Sequence, residues 1–342
     1  MTSAAAANHE SRRGVLAAGS FIVDHVKMID AWPEQDMLAN ISTRTMSNGG
    51  GPYNVLRDLR SLGAEYPLEA AGLLGDDADA SWIRSDCAAH GIDVPQLGTT
   101  DRAATSYTDA MCVEHDGRRT FFHHRGANAV FAAEHVDLTK SDARIFLLGY
   151  LVLLDAMDRL DGDGRTDASR LLEMARSLGF TTAVETVSAV DASFRDIVFA
   201  SLPHVDLLFL NEVEASLLLE REVEVSGASL QAAAEDVATL GAPGRVIVHC
   251  SHGAVCREPD GTVVTQPSLD LPTSFIAGAT GAGDAFTAGF LHSVHEGATT
   301  QTSLLQGVCV AAQSLTHPAA SGGVRTLSKC LSLPDRFEFR EF

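Results

Sequence analysis

Residues 278–286 read Gly-Ala-Thr-Gly-Ala-Gly-Asp-Ala-Phe, and they lead into a helix that we predict from Ala285 to about His295. Small residues let the backbone of such a turn pack closely and expose successive N–H groups, and the start of the helix adds positive potential. The stretch therefore predicts a pocket for a phosphate or a developing anion. It lacks the lysine of a P-loop, and it lies too late in the chain for a dinucleotide-binding fingerprint.

Asp284 is the unexpected member of this stretch, because a carboxylate repels phosphate. It can accept hydrogen bonds from the unpaired N–H groups at the helix start, a capping role worth about 1 kcal/mol. It can instead act as a general base that takes a proton from an attacking hydroxyl while the N–H groups hold a phosphoryl group. Spacing alone leaves both roles open.

Upstream of this stretch, strand and helix patterns alternate along most of the chain. Residues 15–22 form a continuous apolar run, typical of a strand buried on both faces. Pro52 near the start and Gly63 after the end delimit a predicted helix. Further strands and helices are predicted at residues 68–74, 78–90, 144–148, 168–178, 182–185, 205–210, 212–219, 230–240, 246–249 and 303–315. Such alternation is typical of βαβ units on a parallel sheet with helices on both faces.

Two stretches interrupt this rhythm and predict a small lid of solvated strands, over about residues 24–46 and 103–125. The second contains Asp116-Gly117, a strong hairpin turn signal between two short strand patterns. We therefore predict an α/β fold with three αβα layers, a mostly parallel central sheet and a β-strand lid. A single domain over residues 14–342 would follow a disordered tail at residues 1–13.

The composition excludes several classes of partner. The chain has 45 acidic and 25 basic residues in 342, a formal charge of -20 that repels nucleic acids and anionic lipid surfaces. No stretch reaches the roughly 18 to 20 continuous apolar residues of a membrane span. The six cysteines are scattered singly, which favours reduced thiols and a cytoplasmic location. Arg12-Arg13 resembles the start of an export signal, but the apolar run after it is too short.

The stretch at 278–286 resembles the C-terminal signature D-T-x-G-A-G-D-x-F of the ribokinase-like, or PfkB, carbohydrate kinases. Other motifs of that family occur earlier in the chain, in the order in which the family has them. They are Asp24 after the first strand, Gly49-Gly50 followed by Asn54, a G-A-N element ending at Asn128, and an N-x-x-E element from Asn211 to Glu214. The resemblance runs from about Gly14 to Leu327.

This resemblance implies a kinase that transfers the γ-phosphate of MgATP to a primary hydroxyl of a sugar or sugar derivative, of ribokinase, fructokinase or sugar-acid kinase type. Asp284 would be the catalytic base, and the backbone N–H groups of Gly281, Ala282 and Gly283 would form the anion hole. The substrate would be bound by Asp24, Gly49, Gly50, Asn54, Arg125 and Asn128. The nucleotide would contact Asn211, Thr280, His249 and Gly253, and Glu214 would bind Mg2+ through water.

Arg125 stands beside the G-A-N element on the predicted lid. It can pair with a carboxylate or phosphate of the substrate. The alternative is a solvated charge on the lid surface.

Three departures from the family pattern limit what the resemblance implies. Gly278 replaces the first Asp of the signature and Ala319 stands where Gly is common, which makes a monovalent-cation site doubtful. Cys250 replaces a Gly of the nucleotide region, so the donor can be a nucleotide other than ATP. A nucleoside kinase of the same family and a catalytically weak relative that binds sugar or nucleotide for regulation remain alternatives.

The lid also predicts an oligomer. Exposed strands have open edges and one apolar face, and proteins usually cover both. We expect a homodimer formed through residues near 26–46 and 105–124.

Overall fold

The computed structural model describes residues 12–115, 118–189 and 191–342. Within them the chain forms thirteen strands: β1 (Val15–Gly19), β2 (Ile22–Ile29), β3 (Ile41–Gly49), β4 (Leu68–Leu74), β5 (Asp93–Thr99), β6 (Tyr107–Val113), β7 (Arg119–His124), β8 (Ile145–Leu151), β9 (Thr181–Thr186), β10 (Leu207–Asn211), β11 (Arg245–Cys250), β12 (Gly253–Arg257) and β13 (Val263–Pro267). The α-helices of the same residues are α1 (Gly51–Leu62), α2 (Ala78–Ala89), α3 (Asp167–Ser177), α4 (Phe194–Ser201), α5 (Glu212–Leu219), α6 (Gly227–Thr239), α7 (Ala282–His295), α8 (Thr300–Ser314) and α9 (Leu327–Cys330).

Nine strands form the central sheet in the order β13-β12-β11-β10-β9-β8-β1-β4-β5. The strands from β11 to β5 are parallel, and β12 and β13 add an antiparallel edge. The chain order reverses at β1, which lies between β8 and β4. Ligands of open parallel sheets bind beyond the carboxyl ends of the strands at such a reversal, so the site is expected there.

The core lies in two layers, one on each face of the sheet. On β1, Leu16 and Ala18 pack against the layer built from α3, α4, α5 and α6. Their neighbours Val15 and Ala17 pack against α1, α2, α7 and α8 on the other face. Because side chains alternate along a strand, a run that is buried on both faces must be apolar throughout. The layers confirm the predicted αβα fold.

A second sheet of four strands, in the order β3-β2-β6-β7, forms the predicted small β lid. One part of its surface is apolar and open to solvent. Phe121 and Phe122 of β7 are each more than half exposed, and the ring of Trp32 stacks on Phe122. The predicted turn at Asp116-Gly117 falls outside the described residues.

The structure corrects the first predicted strand. Residues 15–22 do not form one strand, because β1 ends at Gly19 and β2 begins at Ile22. Gly19 has a φ of 134°, and a Cβ there would lie 1.8 Å from the carbonyl oxygen of Gly149. The chain therefore leaves the central sheet at this glycine and enters the lid.

Two further expectations concern the ends of the chain and the membrane. The predicted tail lies mostly in residues 1–11, outside the described residues, whereas Arg12 donates hydrogen bonds to the carbonyls of Ser141 and Ala143. Among the described helices, none is both long and apolar enough to cross a bilayer.

Asp58, in the middle of α1, is a buried carboxylate that sequence patterns did not single out. Its side chain is fully buried, and neither carboxylate oxygen has a hydrogen-bond partner in the described part of the chain. Burial, followed by repulsion from Asp284, raises the pKa of Asp58 well above its usual range. The folded state therefore binds a proton more tightly here than the unfolded chain does, and stability is lost as the pH rises above the unfolded pKa of about 4.

We expect Asp58→Asn to raise the melting temperature at pH 8 by about 2 °C or more, because it removes an unpaired buried charge. The gain should shrink as the pH falls, because the wild-type carboxyl then takes up a proton. Thermal unfolding across this pH range measures both effects, with the exposed Asp163→Asn as control. A destabilised Asp58→Asn at pH 8 would contradict this account.

Candidate active site

The candidate site lies at the carboxyl edge of the central sheet, beside the reversal at β1. The turn after β1, the turn between β3 and α1, the residues at the end of β8, and the start of α7 all meet there. Tyr150 of β8 and Glu185 of β9 both lie close to Gly51, since a Cβ on that glycine would be 2.7 Å from the Tyr150 ring and 3.2 Å from Glu185 Oε2.

Asp284 is the third residue of α7 and is buried at the centre of this site. Its Oδ2 accepts a hydrogen bond of 2.7 Å from Asn54 Nδ2, and its Oδ1 accepts one of 2.5 Å from the Tyr150 hydroxyl. The N-cap of α7 is Gly281, and no side chain caps this helix. The capping role is therefore wrong, because the carboxylate contacts α1 and the end of β8 instead.

The surroundings of Asp284 shift the pKa of its carboxyl toward neutral pH. Burial is the largest cause, and together with repulsion from Glu214 it raises the pKa of Asp284 to about 6, although the bonds from Tyr150 and Asn54 lower it. Burial likewise raises the pKa of Asp24 to about 6, with repulsion from Asp284 adding to it. A carboxyl that titrates just below neutral pH can accept a proton at physiological pH.

The three residues predicted to form an anion hole lie at the start of α7. Gly281 has a φ of 78°, and a Cβ there would lie 2.5 Å from the Ala320 carbonyl oxygen, so the turn requires glycine. Gly281, the N-cap of α7, has no side chain to cap the first N–H groups of the helix, and the Ala282 N–H donates to the Ala279 carbonyl at 3.3 Å. Gly281, Ala282 and Gly283 line a cavity of about 230 Å³ that also contains Asp284.

Asn211 and Glu214 form a capping box at the start of α5, which explains the N-x-x-E spacing structurally. Asn211 Oδ1 accepts from the Glu214 N–H at 2.8 Å, and Glu214 Oε2 accepts from the Asn211 N–H at 3.0 Å. Both side chains line the 230 Å³ cavity, as does Glu185. The capping role thus places a carboxylate and an amide beside the anion hole.

The chemistry of this cavity fits Mg2+ held through water. Glu185 is buried, and its Oε2 has no hydrogen-bond partner among the described residues. No group of three or more Asp, Glu, His or Cys side chains in those residues is arranged to hold a metal directly. Mg2+ usually keeps several waters and takes only one or two protein carboxylates along with substrate phosphates, so Glu185 and Glu214 suffice.

A second cavity of about 410 Å³ adjoins the first, and the residues that line both are Asn211, His249, Ala279, Ala282 and Gly283. Its walls are mostly apolar and include Leu271, Ile276 and Phe286. The His249 ring lies 5.0 Å from that of Phe286, and burial lowers the pKa of His249 to about 4, so the ring is neutral. A long apolar cavity beside an anion hole suits a planar base that is joined to phosphates.

The predicted nucleotide residues differ in where the structure places them. Asn211, His249 and Gly253 all line the 410 Å³ cavity. Thr280 is exposed on the turn before α7 and is not part of the wall of either cavity.

The predicted substrate residues around Asp24 meet on the other side of Asp284. A Cβ on Gly49 would lie 2.4 Å from Asp24 Oδ2, and one on Gly50 would lie 2.0 Å from the Ser20 carbonyl oxygen. Gly50 also has a φ of 91°, so two glycines are required for this turn to approach β1 and Asp24. Asn54 follows one turn later in α1 and reaches Asp284.

The two predicted residues at the end of the lid lie in different environments. Asn128 is buried and donates to the Phe21 carbonyl at 3.3 Å, which keeps it beside the turn after β1. Arg125 instead forms an ion pair with Asp155 and donates to the Val152 carbonyl at 3.3 Å. It lines a separate cavity of about 320 Å³ together with Arg159, so it lies outside the two cavities that flank Asp284.

Tyr150 is the functional residue that sequence reasoning missed. No motif marks it, and the only available signal was the third glycine of Gly49-Gly50-Gly51. Because a Cβ on Gly51 would meet the Tyr150 ring, that glycine makes room for the tyrosine. The Asp155 partner of Arg125 was also missed.

Comparison with known proteins gives the chain its family. The pfkB family carbohydrate kinases match residues 14–327. The chain is 27% identical over 280 residues to an ATP-dependent ribose-1-phosphate kinase of Halopiger xanaduensis, covering 81% of this chain and 83% of that protein. It is 26% identical over 296 residues to the adenosine kinase of Saccharomyces cerevisiae, covering 82% of this chain and 81% of that protein.

A solved structure shows the same fold. The structure of Arabidopsis thaliana ribokinase complexed with ribose and ATP superposes with a TM-score of 0.77 at 20% identity, over 94% of this chain and 98% of that one. The family match covers most of the chain, and the curated relatives are named kinases. The chain therefore belongs to the pfkB family of carbohydrate kinases and is a phosphotransferase.

Proposed function

We propose that this protein transfers the γ-phosphate of ATP to a primary hydroxyl of a sugar or sugar derivative. The observation that carries the proposal is the position of Asp284. Its carboxylate lines the cavity at the start of α7 and lies close enough to Asp24 for the two charges to repel, and Asp24 in turn lies against Gly49. A substrate hydroxyl bound beside Asp24 and Gly49 would meet both a proton acceptor and a phosphate.

In the proposed reaction Asp284 accepts the proton of the substrate hydroxyl as that oxygen attacks the γ-phosphorus. The new O–P bond forms while the bond to the bridging oxygen of ADP breaks. The N–H groups of Ala282 and Gly283 hold the oxygens of the phosphoryl group during transfer. These backbone dipoles supply positive potential without a lysine, which agrees with a chain that has only three.

ATP fits the two adjoining cavities, with its base in the apolar one and its phosphates at the start of α7. Bound Mg2+ would neutralise phosphate charge, held by Glu214 and Glu185 through water. Gly278 offers no side chain for a monovalent cation, so we propose that the enzyme does not need one. The six cysteines are free in the structure, which supports a reduced, cytoplasmic environment.

Two substrate classes are suggested by the relatives, one named for ribose 1-phosphate and one for adenosine. Arg125 and Arg159 favour the phosphorylated sugar, because both line the cavity beyond the lid strand and can pair with an anion. Binding of that anion would have to displace Asp155 from Arg125. A nucleoside carries no anionic group with which an arginine in this position could pair.

Tyr150 holds Asp284 in place and keeps its carboxylate ionised. Burial and the nearby carboxylates raise the pKa of Tyr150 well above its usual range, so the phenol remains a donor. Its hydrogen bond lowers the pKa of Asp284. The phenol is therefore proposed as a positioning group for the base.

The exposed apolar surface of the lid supports a homodimer. Ile41, Phe121 and Phe122 of the small sheet and Trp32 of the connection between β2 and β3 are each more than half exposed. Aromatic residues are enriched at protein interfaces, and pairing would cover both this surface and the open strand edges.

Asp284→Asn should lower kcat by about two to four orders of magnitude with each accepted substrate, because the amide cannot take the proton. The measurement is ADP release with ATP and a panel of ribose, ribose 1-phosphate, sugar acids and adenosine. Asp196→Asn is the matched control, since Asp196 is the exposed third residue of α4. Equal turnover by wild type and Asp284→Asn would refute the assignment of Asp284 as the catalytic base. A wild type that binds sugar or nucleotide but shows no turnover would favour a regulatory relative.

Tyr150→Phe should move the acidic limb of the pH profile of kcat/KM to higher pH. Asp284 must be ionised to act, and removing the phenolic hydrogen bond raises its pKa. Tyr66→Phe is the control, because this tyrosine is buried and its hydroxyl bonds His292 outside the site. An unshifted limb in Tyr150→Phe would rule out the positioning role.

Light scattering at micromolar concentration should give a mass of two chains for the wild type and of one chain for Phe122→Asp. A charge on the lid surface would be buried unpaired in the dimer. Phe199→Asp, at an equally exposed phenylalanine of α4, should leave the dimer intact. A monomeric wild type would refute the proposal.

A further inference from the structure

The segment after α9 returns to the central domain and docks beside the 410 Å³ cavity. Residues 338–340 run antiparallel to residues 268–270. The Asp270 N–H donates to the Glu338 carbonyl, and the Arg340 N–H donates to the Ser268 carbonyl, each at 2.8 Å. Ser268 in turn donates from its N–H to the His252 carbonyl at 2.8 Å. Three segments of the chain, at residues 338–340, at residues 268–270 and at His252, therefore lie side by side in this wall of the cavity.

Aromatic side chains fix the docked segment at both ends. The Phe337 ring packs edge-on against Phe275 with centroids 5.1 Å apart. At the other end, Phe342 fills the space in front of Gly253, where a Cβ would lie 2.7 Å from its ring. The glycine predicted for nucleotide contact is therefore also required by the packing of Phe342. The segment is part of the folded wall.

The docked segment presents Arg340 to the cavity. Its Nη2 lies 3.2 Å from Asp270 Oδ1, and its Nε donates to the Leu269 carbonyl at 3.4 Å. These contacts hold the plane of the guanidinium and leave its other Nη group without a hydrogen-bond partner among the described residues. Of the Arg and Lys residues in those parts of the chain, Arg340 alone lines this cavity.

The cavities also indicate which part of a nucleotide Arg340 can reach. It belongs to the wall of the apolar cavity and not to that of the 230 Å³ cavity, which contains Gly281 and Asp284; Ala282 and Gly283 line both cavities. A γ-phosphate beside Asp284 would therefore lie in the cavity that Arg340 does not line. A guanidinium only donates hydrogen bonds, so its partners must be acceptor atoms of the base or the ribose.

We propose that Arg340 is a binding residue for the nucleoside part of the phosphate donor, and that the segment 337–342 is a built-in wall of the donor site. This inference rests on the proposed function, which assigns the apolar cavity to the donor. The ion pair with Asp270 sets the direction of the guanidinium. The substrate on the far side of Asp284 is not involved.

The test compares Arg340→Ala and Arg340→Lys with Arg336→Ala, a control directly before this segment whose guanidinium lies over the Phe337 ring and does not line the cavity. Calorimetry measures the Kd of ADP and of adenosine, and steady-state kinetics gives KM for ATP and for the sugar. We expect Arg340→Ala to weaken both ligands by about tenfold or more and to raise KM for ATP alike, with KM for the sugar unchanged. Arg340→Lys should recover part of the loss.

Every other outcome contradicts either this inference or the proposed function on which it rests. Unchanged ADP affinity in Arg340→Ala, or an equal loss in Arg336→Ala, would overturn the role of Arg340. A loss for ADP without a loss for adenosine would place Arg340 on the phosphates and would also overturn it. Melting temperatures identify a variant that is merely destabilised. If Arg340→Ala is such a variant, the affinity of Arg340→Lys for ADP and adenosine decides whether Arg340 binds the nucleoside. A wild type that binds no ADP would instead refute the donor assignment of the cavity.

Discussion

The site depends on one buried carboxylate that two side chains from other elements hold at the start of a helix. Asp284 receives hydrogen bonds from Asn54 of α1 and Tyr150 of β8, so three separate parts of the chain must meet to place it. Its carboxylate costs free energy to bury, and its pKa rises accordingly. The fold tolerates this cost at the point where a proton acceptor is needed beside an anion hole.

The same arrangement reconciles a strongly acidic chain with a highly charged substrate. A net charge of -20 repels polyanions at long range, but salt screens that field beyond about 8 Å. Within that distance Gly281, Ala282 and Gly283 line the cavity at the start of α7. Positive potential is therefore supplied locally by backbone geometry, and the surface needs no basic patch.

Sequence reasoning recovered the parts of the molecule that follow from local pattern or motif. The layers of the fold follow from alternating apolar runs, and the turn at Gly281 follows from its neighbours' small size. Tyr150 and Arg340 could not be found this way, because each contacts a residue distant in sequence. Asp58 could not be found either, because its burial depends on how α1 packs in the folded chain. Arg125 directly follows the lid strand β7, and its partner Asp155 lies 30 residues later, so this ion pair depends on how the lid meets the body.

The central claim is that the start of α7 holds the phosphoryl group beside Asp284. A crystal structure with a non-hydrolysable ATP analogue, Mg2+ and a sugar tests it most directly. The account predicts the γ-phosphate oxygens within hydrogen-bond distance of the Ala282 and Gly283 N–H groups, and a sugar hydroxyl on the Asp284 carboxylate. A γ-phosphate bound elsewhere, or a sugar whose hydroxyls do not reach Asp284, would contradict it.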